Sequence, residues 1–187
     1  MNITIVLLIF SLAIKGLYIP LNRRRSQFYW KIPLDNKIPL LPFFTIFYLL
    51  YHPGVFSTYI LLWNTPHINR FLLSIIISYI ISTIFWYFIP NGVSRPILTQ
   101  STILHNILRF IYKHDGDTNG FPSAHVFVSL ICGHFLSTAF PAGAIMIWPS
   151  ILLIILSTVF TKQHYMIDIL GGMLVYIVTL YAVTVLM

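Results

Sequence analysis

The sequence has no glutamate, and its whole acidic complement is four aspartates, Asp35, Asp115, Asp117 and Asp168. Charged residues make up 8% of the 187 positions, against about 25% in a soluble globular domain. A water-facing surface cannot be covered from that stock, so a soluble fold is excluded. One cysteine, Cys132, excludes an intramolecular disulfide and a cysteine metal cluster. The seven histidines contain no His-Glu-x-x-His pair, so no zinc site of that kind is expected and no metal is invoked. Repeats and low-complexity segments are also lacking. What is abundant is apolar and aromatic: 58% and 16% of the chain.

The second imbalance is cationic. Eleven Lys and Arg face four acids, for a net charge of +7. Nucleic acid is excluded as the reason, because its binding needs a solvated basic face on a soluble core. Lipid phosphate is the partner that this composition fits.

A membrane-crossing helix takes roughly 20 apolar residues, so six would use about 120 positions and leave short loops. Apolar runs broken by Pro, Gly and charge predict an all-α integral membrane protein. A single domain, 1–187, forms a six-transmembrane helical bundle with spans near 1–20, 40–63, 70–89, 124–140, 143–161 and 166–187. Pro53-Gly54 and Trp148-Pro149 are candidate kinks. The apolar run Met1 to Ile14 has neither a positive n-region nor a small-residue cleavage site and is read as a retained span. The one long polar connection, 90–123, is the expected active-site loop.

Six spans put loops 21–39, 90–123 and 162–165 on one side, with Arg23, Arg24, Arg25, Lys31, Lys37, Arg95, Arg109, Lys113 and Lys162. The other side holds Arg70, and Lys15 lies in or near the end of span one. The positive-inside rule makes the charge-rich side cytoplasmic in a multi-pass protein of the cell membrane. Three clusters of uncommon residues fall on that side: Ser94-Arg95-Pro96, Phe121-Pro122-Ser123-Ala124-His125, and Ser157 to Asp168. His164 and Asp168 stand four residues apart, on one helix face, where the carboxylate can orient the imidazole. An acid inside a membrane segment is costly and marks function by default.

In these residues the chain resembles the type 2 phosphatidic acid phosphatase superfamily. That family reads Lys-x6-Arg-Pro, Pro-Ser-Gly-His and Ser-Arg-x5-His-x3-Asp in order along six spans. This chain has Arg95-Pro96, Pro122-Ser123-Ala124-His125 and Ser157-x6-His164-x3-Asp168. Thr161-Lys162-Gln163-His164-Tyr165, with Ile38-Pro39 before span two, is similar to the branch containing inositol phosphorylceramide synthase-like proteins. Two cations depart from the pattern: Phe88 stands for the first-motif Lys and Thr158 for the third-motif Arg. If span five stays helical to Lys162, four steps of about 100° return that amine to the face of Thr158, so Lys162 is the expected replacement. It keeps the charge and loses the bidentate fork.

The resemblance implies a haloperoxidase-like helical bundle working without cofactor or metal on a lipid phosphate or diphosphate. His164 is the implied nucleophile, forming a phosphohistidine; Asp168 takes its other ring proton, and His125 protonates the leaving group. Arg95, Lys162, Ser123 and Ser157 are the expected phosphate ligands, aided by free N–H groups at the start of span four. A lipid phosphatase is the first expectation. A lipid head-group phosphotransferase is the second, and a non-catalytic phospholipid-binding or transport protein the third. The resemblance implies an extracytoplasmic site; the loop charges imply a cytoplasmic one and are followed here. Asp115-Gly116-Asp117-Thr118-Asn119-Gly120 opens like a calcium loop, but Val126 occupies its twelfth position, where a bidentate Glu is needed, and the calcium reading is rejected.

Overall fold

The computed structural model describes residues 2–187, and its regular elements among the described residues are all helices. It begins with α1 (Ile3–Gly16), running on through the short α2 (Tyr18–Asn22), then α3 (Pro33–Lys37) and α4 (Thr45–Leu62). Next come α5 (Ile68–Phe88), α6 (Ile103–His114), α7 (Ala124–Ala139), α8 (Ala144–Phe160) and α9 (Met166–Leu186). Local chemistry sets several starts. The Asn2 side chain accepts the Thr4 N–H at 3.0 Å to cap α1, Thr102 caps α6, and Pro33 supplies the first residue of α3. Pro53 and Pro149 both lie inside helices, α4 and α8.

Of the six expected spans, five are long and apolar enough to cross a membrane among the described residues: Ile3–Asn22, Pro42–Leu62, Ile68–Phe88, Pro141–Phe160 and Met166–Leu186. The expected span at 124–140 is α7, an apolar helix of 16 residues. At 1.5 Å per residue it is about 24 Å long, short of the roughly 30 Å hydrocarbon layer. The reason is its place. α7 packs against α4, α5, α8 and α9 at once, so its surroundings are protein and its length need not match the bilayer.

Around α7 lies the main core, with Phe71, Leu72, Ile75, Trp86, Phe127 and Ile131 all at most 1% exposed. In lipid, helices associate through close packing and small residues rather than through hydrophobic exclusion. The chain follows that rule. Ser74, Ser78 and Ser82 form a fully buried stripe at four-residue spacing on α5, and a Cβ added to Gly172 of α9 would lie 2.7 Å from the Val126 Cβ and 2.9 Å from the Ser123 carbonyl oxygen. That contact seats the first two turns of α9 against the start of α7.

The loop 90–123 is not merely polar. It contains α6, whose apolar face carries Leu108 and Ile111 inward while Arg109 and Lys113 stay exposed. Segment 22–41 is stitched beneath it: the Thr118 hydroxyl donates to the Arg24 carbonyl, Gly92 N to Phe28, and Leu41 N to Phe160 at 2.9 Å. These bonds gather the three motif clusters at one end of the bundle.

Candidate active site

His164 lies in the turn between α8 and α9, 7% exposed, and Asp168 is the third residue of α9, fully buried. One Asp168 oxygen, Oδ2, accepts the Tyr165 N–H at 2.8 Å and lies 3.4 Å from His164 Nδ1. A carboxylate beside Nδ1 favours the tautomer with its proton there, which leaves the lone pair on Nε2. The Asp168 carbonyl accepts the Ser123 N–H at 3.1 Å, which ties the third cluster to the second. His125, in the first turn of α7, follows directly. Its ring centroid is 5.7 Å from that of His164, and both of its ring nitrogens are buried without a protein partner. Tyr48 and Tyr51 pack on it at 4.6 and 4.3 Å.

Lys162 reaches the site by a different route from the one expected. α8 stops at Phe160, and Lys162 sits beyond the cap at φ 54°. Its N–H donates to the Val159 carbonyl at 3.1 Å and the Gln163 N–H to Thr158 at 2.8 Å, the paired bonds of a Schellman turn with lysine where glycine is usual. A turn at that point was needed to swing His164 inward, so the helix could not run on to carry Lys162. The amine now rests on the carbonyls of Asp35, at 3.2 Å, and Ile38. Burial holds it below the ordinary lysine range, against the opposing effect of Asp35 and with a smaller contribution from Lys31 in the same sense as burial.

Arg95 is in the same wall, with most of its donors committed. Nη1 bonds the carbonyls of Tyr112 and Asp115, and Nη2 those of Gly116 and the Gln163 side chain, leaving Nε without a partner. It thus stands at the carbonyl end of α6, where the helix dipole favours a cation. Its guanidinium lies 5.0 Å from the Tyr112 ring centroid. Burial pushes the Tyr112 phenol up to about 12, with Arg95 opposing, and its hydroxyl donates to the Thr161 carbonyl at 2.6 Å.

Two spaces flank the histidine pair. On the His164 side a cavity of about 200 Å³ is lined by Lys31, Asp35, Ser94, Arg95, Lys162 and Tyr165, among others. It adjoins a mouth of about 1040 Å³ that adds Arg23, Arg24 and Lys113. On the other side, His125 and Ala124 line an apolar chamber of about 630 Å³ with Leu12, Tyr48, Leu49 and Tyr51. The chamber lies between α1 and α4, since α1 packs on α5 instead. A further apolar space of about 580 Å³ shares Leu12, Lys15 and His52 with it.

A PAP2 superfamily sequence profile matches residues 28–182. The chain belongs to the PAP2 superfamily. No curated protein and no solved structure matches it significantly. PAP2 membership points to a phosphatase-type enzyme, and the match is to the superfamily without singling out a branch.

The PAP2 clusters therefore converge, with exceptions. His164, Asp168, His125, Arg95 and Lys162 share one region. Ser123 caps no N–H, its hydroxyl buried and unpartnered, and Ser157 donates to the Ile154 carbonyl at 2.6 Å. Neither serine lines the cationic cavity. The two PAP2 cations that the sequence lacks are not restored at their own positions: Phe88 is 70% exposed at the end of α5, and Thr158 is fully buried. Arg109 is held by Asn106, Leu98 and Gln100 outside the cavity. Lys31 and Asp35 are site residues that sequence reasoning passed over. Nothing but their membership of a charged loop distinguishes them, because only tertiary docking brings that loop to the third cluster. The acids of the rejected calcium loop line the mouth and are engaged there, Asp115 by Asn22 and Tyr48, and Asp117 by Tyr29.

The left-handed turn at Lys162 makes a prediction that separates backbone from charge. Both Lys162→Gly and Lys162→Ala delete the amine, but only alanine bears the steric cost of positive φ, so the glycine variant should be more stable by about 1 kcal/mol. Denaturation of the two purified variants checks this, and equal stabilities contradict the turn.

Proposed function

We propose that the protein is a membrane lipid phosphatase that hydrolyses a phosphate monoester or diphosphate of a lipid through a phosphohistidine on His164. The observation that carries this reading is the two-sided setting of the histidine pair. Cations line the space before His164, and an apolar chamber between two membrane helices reaches His125. A substrate with a charged end and a hydrocarbon end fits that polarity in one orientation.

In the first step Nε2 of His164 attacks phosphorus, and the P–N bond forms as the P–O bond to the lipid breaks. His125, protonated, delivers its proton to the departing oxygen. Asp168 stabilises the charge that develops on the His164 ring. In the second step water attacks phosphorus and gives a proton to His125. The P–N bond breaks, and inorganic phosphate leaves with both histidines restored. Lys162 and Lys31 supply positive charge to the phosphoryl oxygens, with Arg95 behind them.

The test is phosphate release from phosphatidate, phosphatidylglycerol phosphate, undecaprenyl diphosphate and sphingoid phosphates by purified protein in excess chelator. At least one substrate should be hydrolysed, and His164→Ala should lower the rate by about 1000-fold or more. Full release by that variant, or activity only with added divalent cation, contradicts the reading. The apolar chamber is also a route by which a lipid alcohol could approach His125, and this favours head-group transfer as the second reading. Head-group exchange without phosphate release would select it. Binding without either would select the non-catalytic reading, which the substitutions Phe88 and Thr158 motivate.

The site face is proposed to be cytoplasmic, because nine of the eleven Lys and Arg belong to the loops at that end. Single cysteines at 113–120, in a Cys132→Ser background, should react with a membrane-impermeant maleimide only after permeabilisation. Labelling of intact cells refutes the assignment.

A further inference from the structure

Asp35 is one of only four acids, it is 5% exposed, and no Lys or Arg side chain pairs with its carboxylate among the described residues. Its bonds run elsewhere. Oδ1 accepts the Met166 N–H at 2.9 Å, Oδ2 accepts the Ile32 N–H at 2.8 Å, and its own carbonyl accepts the Lys162 amine at 3.2 Å. Two further attachments come from the same segment: Ile38 receives the Lys162 amine, and Leu41 N donates to the Phe160 carbonyl. On the other side the partners are Phe160, Lys162 and Met166. They bracket His164.

The first N–H groups of a helix have no partner inside it and must find one outside. At α9 the two carboxylates divide that task, Asp168 taking the Tyr165 N–H and Asp35 the Met166 N–H. Asp168 belongs to the helix itself. Asp35 arrives from more than a hundred residues away, so its bond fixes α9 relative to the loop that roofs the cationic cavity.

We infer that Asp35 is a positioning residue for phosphoryl transfer: it braces the turn that carries His164 and holds the Lys162 amine at the cavity wall. The inference rests on the reading of His164 as nucleophile. Geometry and charge enter separately. The bonds to Met166 and Ile32 fix the first turn of α9, and errors of about 1 Å in such a placement cost about 100-fold in rate. The negative charge keeps the Lys162 amine protonated against its burial. The groups facing that amine are Lys31 and Asp35 from the roofing loop, Arg95 from the segment after α5, and His164 and Tyr165 from the turn. Asp35 is the only acid among them.

Two substitutions separate the effects. Asp35→Asn removes the charge and one of the two acceptors. Asp35→Glu keeps the charge and displaces both acceptors. Each should lower kcat about 10- to 100-fold on the lipid phosphate that the native protein hydrolyses fastest. Binding of inorganic phosphate as a function of pH supplies the second readout. Affinity falls when Lys162 loses its proton, and a lysine deprived of a neighbouring carboxylate does so earlier. In Asp35→Asn the fall should therefore move to lower pH by about one unit, and in Asp35→Glu it should stay in place. Native kcat in both variants overturns the inference, as does a lowered kcat in Asp35→Asn with an unmoved phosphate profile. Failure of both variants to fold also overturns it, because Asp35 is then a folding residue. His164→Ala run beside them keeps the two levels apart: activity in that variant refutes the nucleophile, whatever Asp35 does.

Discussion

The first turn of α9 is the constraint on which the site depends. One buried residue, Asp168, orients His164 through Nδ1, caps the Tyr165 N–H and, through its carbonyl, receives the N–H of Ser123 at the head of α7. A single side chain and its own peptide thus fix His164, the helix behind it and the helix bearing His125. The cost of burying this acid is offset in part, because Oδ2 has the Tyr165 N–H and His164 Nδ1 beside it while Oδ1 is buried with no protein partner. The absence of side chains at Gly171 and Gly172 lets α9 come close enough, with the Phe121 ring 2.3 Å and the Val126 Cβ 2.7 Å from where their Cβ atoms would be.

From that turn the polarity of the molecule divides. Toward the loops lie Lys31, Arg95 and Lys162, and toward the bilayer lies the chamber of Tyr48, Tyr51 and Leu49 at His125. The positive charge of the cavity is not placed in the PAP2 manner. Phe88 and Thr158 leave two positions neutral, and Arg95 spends four donors on the end of α6 and Gln163. The compensation is a lysine on a left-handed turn and another from the loop before α4. Both are point charges rather than forks, which suits attraction of an anion more than rigid orientation of it.

Much of this was legible in the sequence, and what was not has definable causes. The membrane class followed from composition, and the pairing of His164 with Asp168 was expected from a shared helix face, whereas His164 lies in the turn before α9 and meets Asp168 from there. The order and identity of the three clusters led to the PAP2 superfamily. Five of the six expected spans have the length of a membrane crossing, and the sixth, α7, is shorter; apolarity alone does not separate a lipid-facing helix from one enclosed by protein. The route of Lys162 failed because lysine carries no signal for positive φ; the turn is imposed by the bonds that Val159 and Thr158 accept. Asp35 and Lys31 were invisible for a third reason. Their roles exist only when residues 22–41 dock against residues 90–120 and 160–166, and no local pattern encodes that docking.

The central claim is that His164 carries the phosphoryl group. Brief incubation of the native protein with a lipid phosphate labelled at the terminal phosphorus, followed by a rapid alkaline quench, should leave label on the protein. The account predicts an acid-labile, alkali-stable adduct that peptide mapping assigns to His164. Label on any other residue, or phosphate release with oxygen exchange showing direct attack by water on the lipid, would contradict it.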